Sequence, residues 1–385
     1  MRNTGRLLSL DALRGFDMLF IMGFSDAVVQ ACALFGAQDC WLSQQMTHVA
    51  WHGLRQHDTI FPLFLFLAGV SWPFSRASAE ARNVSGVRLV RKILKRTVLL
   101  VLLGIVWGGF QKLDFANWRY DSVLAHIGIC WAGATLIHLM VKDWRVYLGI
   151  AFALLVGHWL VLFLATAPDM AALLASTDPA VAAKVAAYAD TGNGGFSFVG
   201  NFAGWVDRML MPGRLHEIVF DPDGLFSKIS GTALAMLGVL AGMLLRGKWS
   251  GNRKTAILFA AAAVAAVAAL AWSPVCPVNK KIWTASFVLA TGAYSLALLA
   301  AFYWIVDVRG WSRWTFFFRV IGMNSLTIYL AQRFVGFGRI RDFFLKGLIL
   351  QLPPDCIPVV NSLTYVAVCW LFLYLLYRKG MFLKV

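Results

Sequence analysis

The stretch "MTHVAWHGLRQHDTIFPLFLFLAGVSW", residues 46–72, turns within a few positions from a segment holding His48, His52, His57 and Asp58 into a run that is almost wholly apolar. The apolar residues are continuous rather than alternating, so the run reads as a helix and not as a strand of a barrel. At a rise of about 1.5 Å per residue, about 18 such residues cross a hydrocarbon core roughly 30 Å thick. Comparable runs occur near 9–33, 58–75, 92–110, 122–141, 145–166, 227–245, 255–273, 283–306, 316–336 and 359–377. With 59% hydrophobic and 14% charged residues among 385, the chain is too apolar for a soluble domain of this length. The expectation is an all-α polytopic membrane protein of about 10 transmembrane helices forming a single domain over 1–385.

The first run carries Asp11, Arg14 and Asp17 and lacks a small-residue cleavage pattern, so the first helix is expected to be kept. A net charge of +16 raises nucleic acid as a partner, but the placement of the basic residues argues against it. Arg2, Arg6, the 76–96 cluster, Lys142, Arg145, the 246–254 group, Arg309, Arg313, Arg378 and Lys384 all fall on one side of the predicted spans. That is the positive-inside pattern, and it puts both termini in the cytoplasm. The dense 76–96 cluster suits either anionic lipid or a phosphorylated ligand. Residues 167–226 form a long insertion on the opposite, periplasmic side, expected to cap that face, and 337–352 reads as an amphipathic segment along the interface. No internal repeat is apparent.

Ionisable groups inside spans are costly and each raises a functional question. Asp11, Arg14 and Asp17 share one helix face, where they either neutralise one another or line a cavity reached from inside. His48 and His52 are four apart without an intervening glutamate, which disfavours a metal site. Asp58 suits a helix N-terminus, and an imidazole beside a carboxylate is also the minimal general-base arrangement. Residue types alone leave a structural and a catalytic histidine both open. Cys32, Cys130 and Cys369 fall in predicted spans and read as buried small hydrophobes; Cys40, Cys276 and Cys356 fall on the outer side, where a bridge is permitted but no pairing follows.

Six segments together resemble a known family: "SLDALRGFDML" (9–19), "HVAWHGLRQHDTIFPLFLFLAG" (48–69), "SVLAHIGICW" (122–131), "FDPDGLFSKI" (220–229), "NKKIWTASFVL" (279–289) and "GMNSLTIYL" (322–330). In this order they are similar to the transmembrane acyltransferases related to heparan-α-glucosaminide N-acetyltransferase. His48, Trp51, Gly53, Asp58, Phe61 and Pro62 meet the family's histidine, W-x-G and D-x-x-F-P pattern. The resemblance, which extends to bacterial members of the family, implies an acyltransferase of a bacterial inner (cytoplasmic) membrane that moves an acetyl group from cytosolic acetyl-CoA to an amino sugar or glycan on the periplasmic side; the histidine spacing adds the expectation of no metal. It implies His48 as general base or acyl acceptor. The chain departs from the family at Ser25 and His52, where asparagines are usual, and at Ala125 and His126, where glutamine and arginine are usual.

The expected catalytic pair is therefore His48 and Asp58. Arg14, Arg91, Arg96 and Asn324 are the candidates for holding CoA, and Trp51, His52, Asn279, Lys280 and Asp221 those for the acceptor. The expected partners are these small molecules and membrane lipid, with a homodimer as a candidate assembly. The rival readings are a transporter of N-acetylglucosamine-type sugars and a non-catalytic scaffold.

Overall fold

A computed structural model describes residues 7–109 and 113–383; Arg2, Arg6, Lys384 and the chain ends lie outside the described residues. Among these residues the regular structure is helical: α1 (Leu8–Leu34), α2 (Gln56–Glu80), α3 (Gly86–Gly109), α4 (Val123–Met140), α5 (Trp144–Leu164), α6 (Phe202–Leu210), α7 (Ser227–Arg246), α8 (Gly251–Trp272), α9 (Ala285–Val308), α10 (Phe316–Gly322), α11 (Ser325–Phe334), α12 (Phe337–Ile349) and α13 (Ile357–Arg378). Among the described residues, eight continuous helices are long and apolar enough to cross a membrane, and the protein is polytopic as the sequence predicts.

The remaining two expected spans differ in instructive ways. The helix expected over 92–110 begins earlier, as α3, and carries Arg88, Arg91, Lys92, Lys95 and Arg96 in its first half, so only its second half is apolar. The helix expected over 316–336 is broken between α10 and α11 at Met323 and Asn324. Non-helical backbone at membrane depth is tolerated where it is enclosed by protein or lines a cavity. Here it lines one: Gly322, Met323 and Ser325 form part of its wall.

Two apolar cores meet along this cavity. The larger gathers α2, α4, α7 and α9 through residues such as Phe66, Trp131, Met236 and Phe287. The smaller joins the second half of α1 to α10, α11 and α13 through Met22, Ile321, Ile328 and Cys369. Helices in lipid gain little from apolar burial and associate by close fit, which small residues permit. A methyl group at Gly69 would overlap the Ala235 carbonyl, and one at Gly238 the Phe66 carbonyl, so α2 and α7 touch backbone to backbone. Gly15 and Gly322 do the same between α1 and α10. α1 itself turns through a π-helical step over Phe20–Phe24, where Gly23 takes a φ of 113° that side chains oppose.

Segment 167–226 adds a third cluster, built on Phe198, Val199, Val219 and Phe220 and closed by Trp51 and Ile282. Trp51 donates its indole N–H to the Phe196 carbonyl at 2.9 Å, tying the histidine loop to this segment.

Candidate active site

A cavity of about 860 Å³ runs between the two cores. His48, Asp58 and Lys280 lie at one end, and Arg14, Ser71 and Arg96 at the other. Asp58 and Ser71 are thirteen residues apart on α2, so its two ends are about 20 Å apart along the helix axis.

At the histidine end, Asp58 sits in the first turn of α2 and is almost fully buried. Its Oδ2 accepts the Val49 and Arg55 backbone N–H groups at 3.3 and 3.1 Å. Its Oδ1 lies 2.7 Å from His48 Nδ1. Lys280 Nζ approaches the same nitrogen at 3.1 Å and Asp58 Oδ1 at 3.4 Å. The shorter contact is with a carboxylate, which requires the proton on Nδ1, so we assign the tautomer whose Nε2 carries the lone pair. The His48 side chain is 55% exposed, so that nitrogen can be reached. Burial holds the Lys280 ammonium below the usual lysine range, opposed by Asp58.

His57 lines the same end of the cavity. Its ring lies 4.5 Å from that of His48, edge to face, and its Nδ1 is 3.1 Å from the Ser25 hydroxyl. The only signal for it was adjacency to Asp58 at a helix start.

The wall beyond is charged and internally paired. Arg119 grips Asp221 at 2.7 and 2.5 Å and reaches Asp223 at 2.7 Å. Burial pushes Asp223 up to about 6 in spite of Arg119. Glu217 is buried too, but Lys184 at 2.6 Å and Lys281 at 2.8 Å hold it below the usual glutamate range. Burial lowers both His52 and His216, which favours their neutral forms.

The acceptor candidates separate on this geometry. Trp51 and Lys280 line the cavity. Asp221 is buried beneath it, accepting the His216 and Asp223 backbone N–H groups as well as Arg119, while its neighbour Asp223 reaches the wall. Asn279 is fully buried and organises its own turn by accepting the Lys281 and Ile282 N–H groups, with His52 Nδ1 3.4 Å from its amide. Lys281, the neighbour of Lys280, also lines the cavity, as do Arg119, Glu217 and Tyr188, which sequence reasoning missed. They lie far apart in sequence with no shared spacing.

At the arginine end, Arg14 donates to the Ser71 hydroxyl and faces Asp11 at 3.7 Å. Arg96 lies over the Trp131 ring at 4.3 Å, and its Nε is buried without a hydrogen-bond partner among the described residues. Arg91 is exposed on the opposite face of α3, away from the cavity. Asn324, at the break, accepts the Thr327 hydroxyl on its Oδ1 at 3.2 Å and keeps a buried Nδ2 with no hydrogen-bond partner among the described residues. No group of three or more His, Cys, Asp or Glu side chains is gathered in a metal-holding arrangement among the described residues.

The loop holding Asp223 rests on Asp207 of α6, which accepts the Asp221 and Leu225 N–H groups at 3.1 and 2.9 Å. Burial pushes Asp207 up to about 7. The folded protein thus holds this proton more tightly than the unfolded chain, so its contribution is complete below pH 4 and is lost as pH rises through about 7. Thermal unfolding in detergent should show stability falling between pH 5 and 8, and Asp207→Asn should flatten that slope. Parallel slopes for the two proteins would remove Asp207 as the cause.

No protein-family model matches the chain. It is 26% identical to human heparan-alpha-glucosaminide N-acetyltransferase over 427 aligned positions, covering 99% of this chain and 60% of that protein. It is 25% identical to the mouse protein of the same name over 424 positions, covering 100% of this chain and 61% of that one. The chain therefore spans about three fifths of the length of these relatives. In sequence it is heparan-α-glucosaminide N-acetyltransferase-like from end to end, as the six motifs imply. Neither name is that of a carrier, and the transporter reading gains no support from them.

Proposed function

We propose that the protein is a transmembrane N-acetyltransferase whose cavity brings acetyl-CoA from the cytosolic face to an amino sugar or glycan on the other, with His48 doing the chemistry. The observation that carries this reading is one continuous cavity bounded by an accessible, carboxylate-oriented imidazole at one end and two arginines at the other. Arg14 and Arg96 suit the phosphates of CoA, since guanidinium groups match phosphate geometry and Arg96 has an unused donor. The thioester arm then extends along α2 toward His48.

A protonated amine is not a nucleophile. His48 Nε2 removes the proton of the acceptor ammonium, and Asp58 steadies the imidazolium that forms. The freed amine attacks the thioester carbonyl, and the thiolate of CoA leaves. Attack by Nε2 itself, giving an acyl-histidine, uses the same lone pair and the same carboxylate. Asp223 stands on the wall that the incoming ammonium passes, and the Nδ2 of Asn324, between the cavity-lining Met323 and Ser325, is a spare donor.

This reading places the histidine end and segment 167–226 in the periplasm of a bacterial inner membrane, with the arginine end and both termini in the cytoplasm. The chain functions among membrane lipids without a metal, and a homodimer is its proposed assembly. The test is purified protein given labelled acetyl-CoA and glucosamine. N-acetylglucosamine is the expected product; sugar flux through proteoliposomes without acetylation would instead favour a carrier, and neither result a scaffold.

Asp58→Asn should slow transfer about tenfold or more, since a charge-assisted hydrogen bond is worth about 1.5–3 kcal/mol and 1.4 kcal/mol is a factor of ten. The imidazolium also loses its carboxylate partner, so the acid limb of the pH–rate profile should move to lower pH. A slower enzyme with an unmoved acid limb would break the pairing.

A further inference from the structure

At the histidine end of the fold, α1 finishes at Leu34 and the chain doubles back into the short helix Trp41–Gln45. Gly36, with a φ of 67°, makes the reversal, and the Cys32 carbonyl accepts the Phe35 and Ala37 N–H groups at 3.2 and 2.8 Å. The Cys40 N–H in turn donates to the Ala37 carbonyl at 3.1 Å. These bonds bring the sulfurs of Cys32 and Cys40 to 3.6 Å. Both residues are half-buried, so a small oxidant can reach them. Cys130, Cys276 and Cys369 are buried, and Cys356 is half-buried elsewhere.

The sequence-based expectations are corrected on both counts. Cys32 is not a buried hydrophobe, because the apolar run ends in a turn that leaves it near the surface. Cys276, expected as an outer bridging candidate, is sealed in the larger core.

We propose that Cys32 and Cys40 form a disulfide-bonding pair that takes up the oxidising equivalents of a low-molecular-weight or protein disulfide. Cys40 is the N-cap of the short helix and its Sγ accepts the Ser43 N–H at 3.4 Å. That bond lowers the Cys40 thiol below the usual range and makes it the attacking thiolate. The Cys40 thiolate attacks one sulfur of the oxidant and expels the other half as a thiolate. Cys32, losing its proton, attacks the Cys40 sulfur of this mixed disulfide and releases the second half. Two protein thiols and one disulfide become one protein disulfide and two small thiols, with no other reactant. The bridge would close residues 32–40, six residues before Met46 and the loop that carries His48.

The pairing rests on geometry alone; its state in the cell rests on the proposed function, which puts this end in an oxidising compartment. One experiment separates the two. Cys32 and Cys40 share the tryptic peptide 15–55, which contains no other cysteine and no internal Lys or Arg. Purified protein treated with oxidised glutathione should yield this peptide two hydrogens lighter, resistant to maleimide until reduced, and unfolding at a higher temperature than the Cys32→Ser/Cys40→Ser variant. Two maleimide adducts, or stable glutathione adducts, on this peptide after treatment would overturn the pairing. In protein alkylated as the cells are broken, the peptide is expected already oxidised. A peptide that bridges with glutathione yet is reduced in the cell would leave the pair standing and overturn the proposed sidedness.

Discussion

His48→Ala should lower acetyl transfer by about two to four orders of magnitude, the range a positioned general base contributes. The side chain is more than half exposed and bonded through Nδ1 alone, so its loss opens no large void and the fold should persist. Unfolding temperature and CoA binding, which the proposal assigns to Arg14 and Arg96 at the other end of the cavity about 20 Å away, should change little. The variant thereby separates loss of chemistry from loss of structure. Turnover near the parent rate in correctly folded His48→Ala would end the acyl-transfer assignment. His57 sharpens the test: its ring is the nearest other imidazole, so residual activity in His48→Ala that disappears in His48→Ala/His57→Ala would show it standing in.

The largest effect on stability is expected at Lys228. This residue begins α7, is almost fully buried, and bonds the Asp121 carboxylate, the Asp223 carbonyl at 2.6 Å and the Gly224 carbonyl at 3.1 Å. It joins α7 to the Asp223 loop and to the segment preceding α4. Lys228→Met keeps the volume but strands a buried carboxylate and two carbonyls. Breaking a buried pair from one side costs about 3–5 kcal/mol. Removing both partners in Lys228→Met/Asp121→Asn should be milder than the single change, because no charge is then left alone. Equal unfolding temperatures for the single and double variants would mean that the carboxylate is not the source of the loss.

Much of the fold was legible because lipid imposes one reading on a long apolar run. Eight spans follow directly from length and apolarity. The break at Met323 and Asn324 was not legible: Arg319, Asn324, Ser325, Gln332 and Arg333 thin the apolar run of 316–336, but polar residues alone do not say whether a span is broken or only faces a cavity. The His48 and Asp58 pair was legible because both residues sit in one local segment, ten apart, around a helix start. Arg119 and Glu217 were not, because they come from separate connections that only the folded chain brings together. Asn279 and Asp221 show the opposite error: residue type marked them as ligand groups, yet backbone N–H groups and Arg119 already occupy them.

The interruption between α10 and α11 has a consequence for selectivity. Each helix end leaves peptide groups without intrahelical partners, and such groups at a cavity wall favour water over apolar contents. On the proposed function, an activated acyl group passing that point would meet water, the most abundant competitor for its carbonyl. Preference for nitrogen over hydrolysis then depends on when a neutral amine becomes available, and that moment is set by a single proton leaving the acceptor at the far end of the passage.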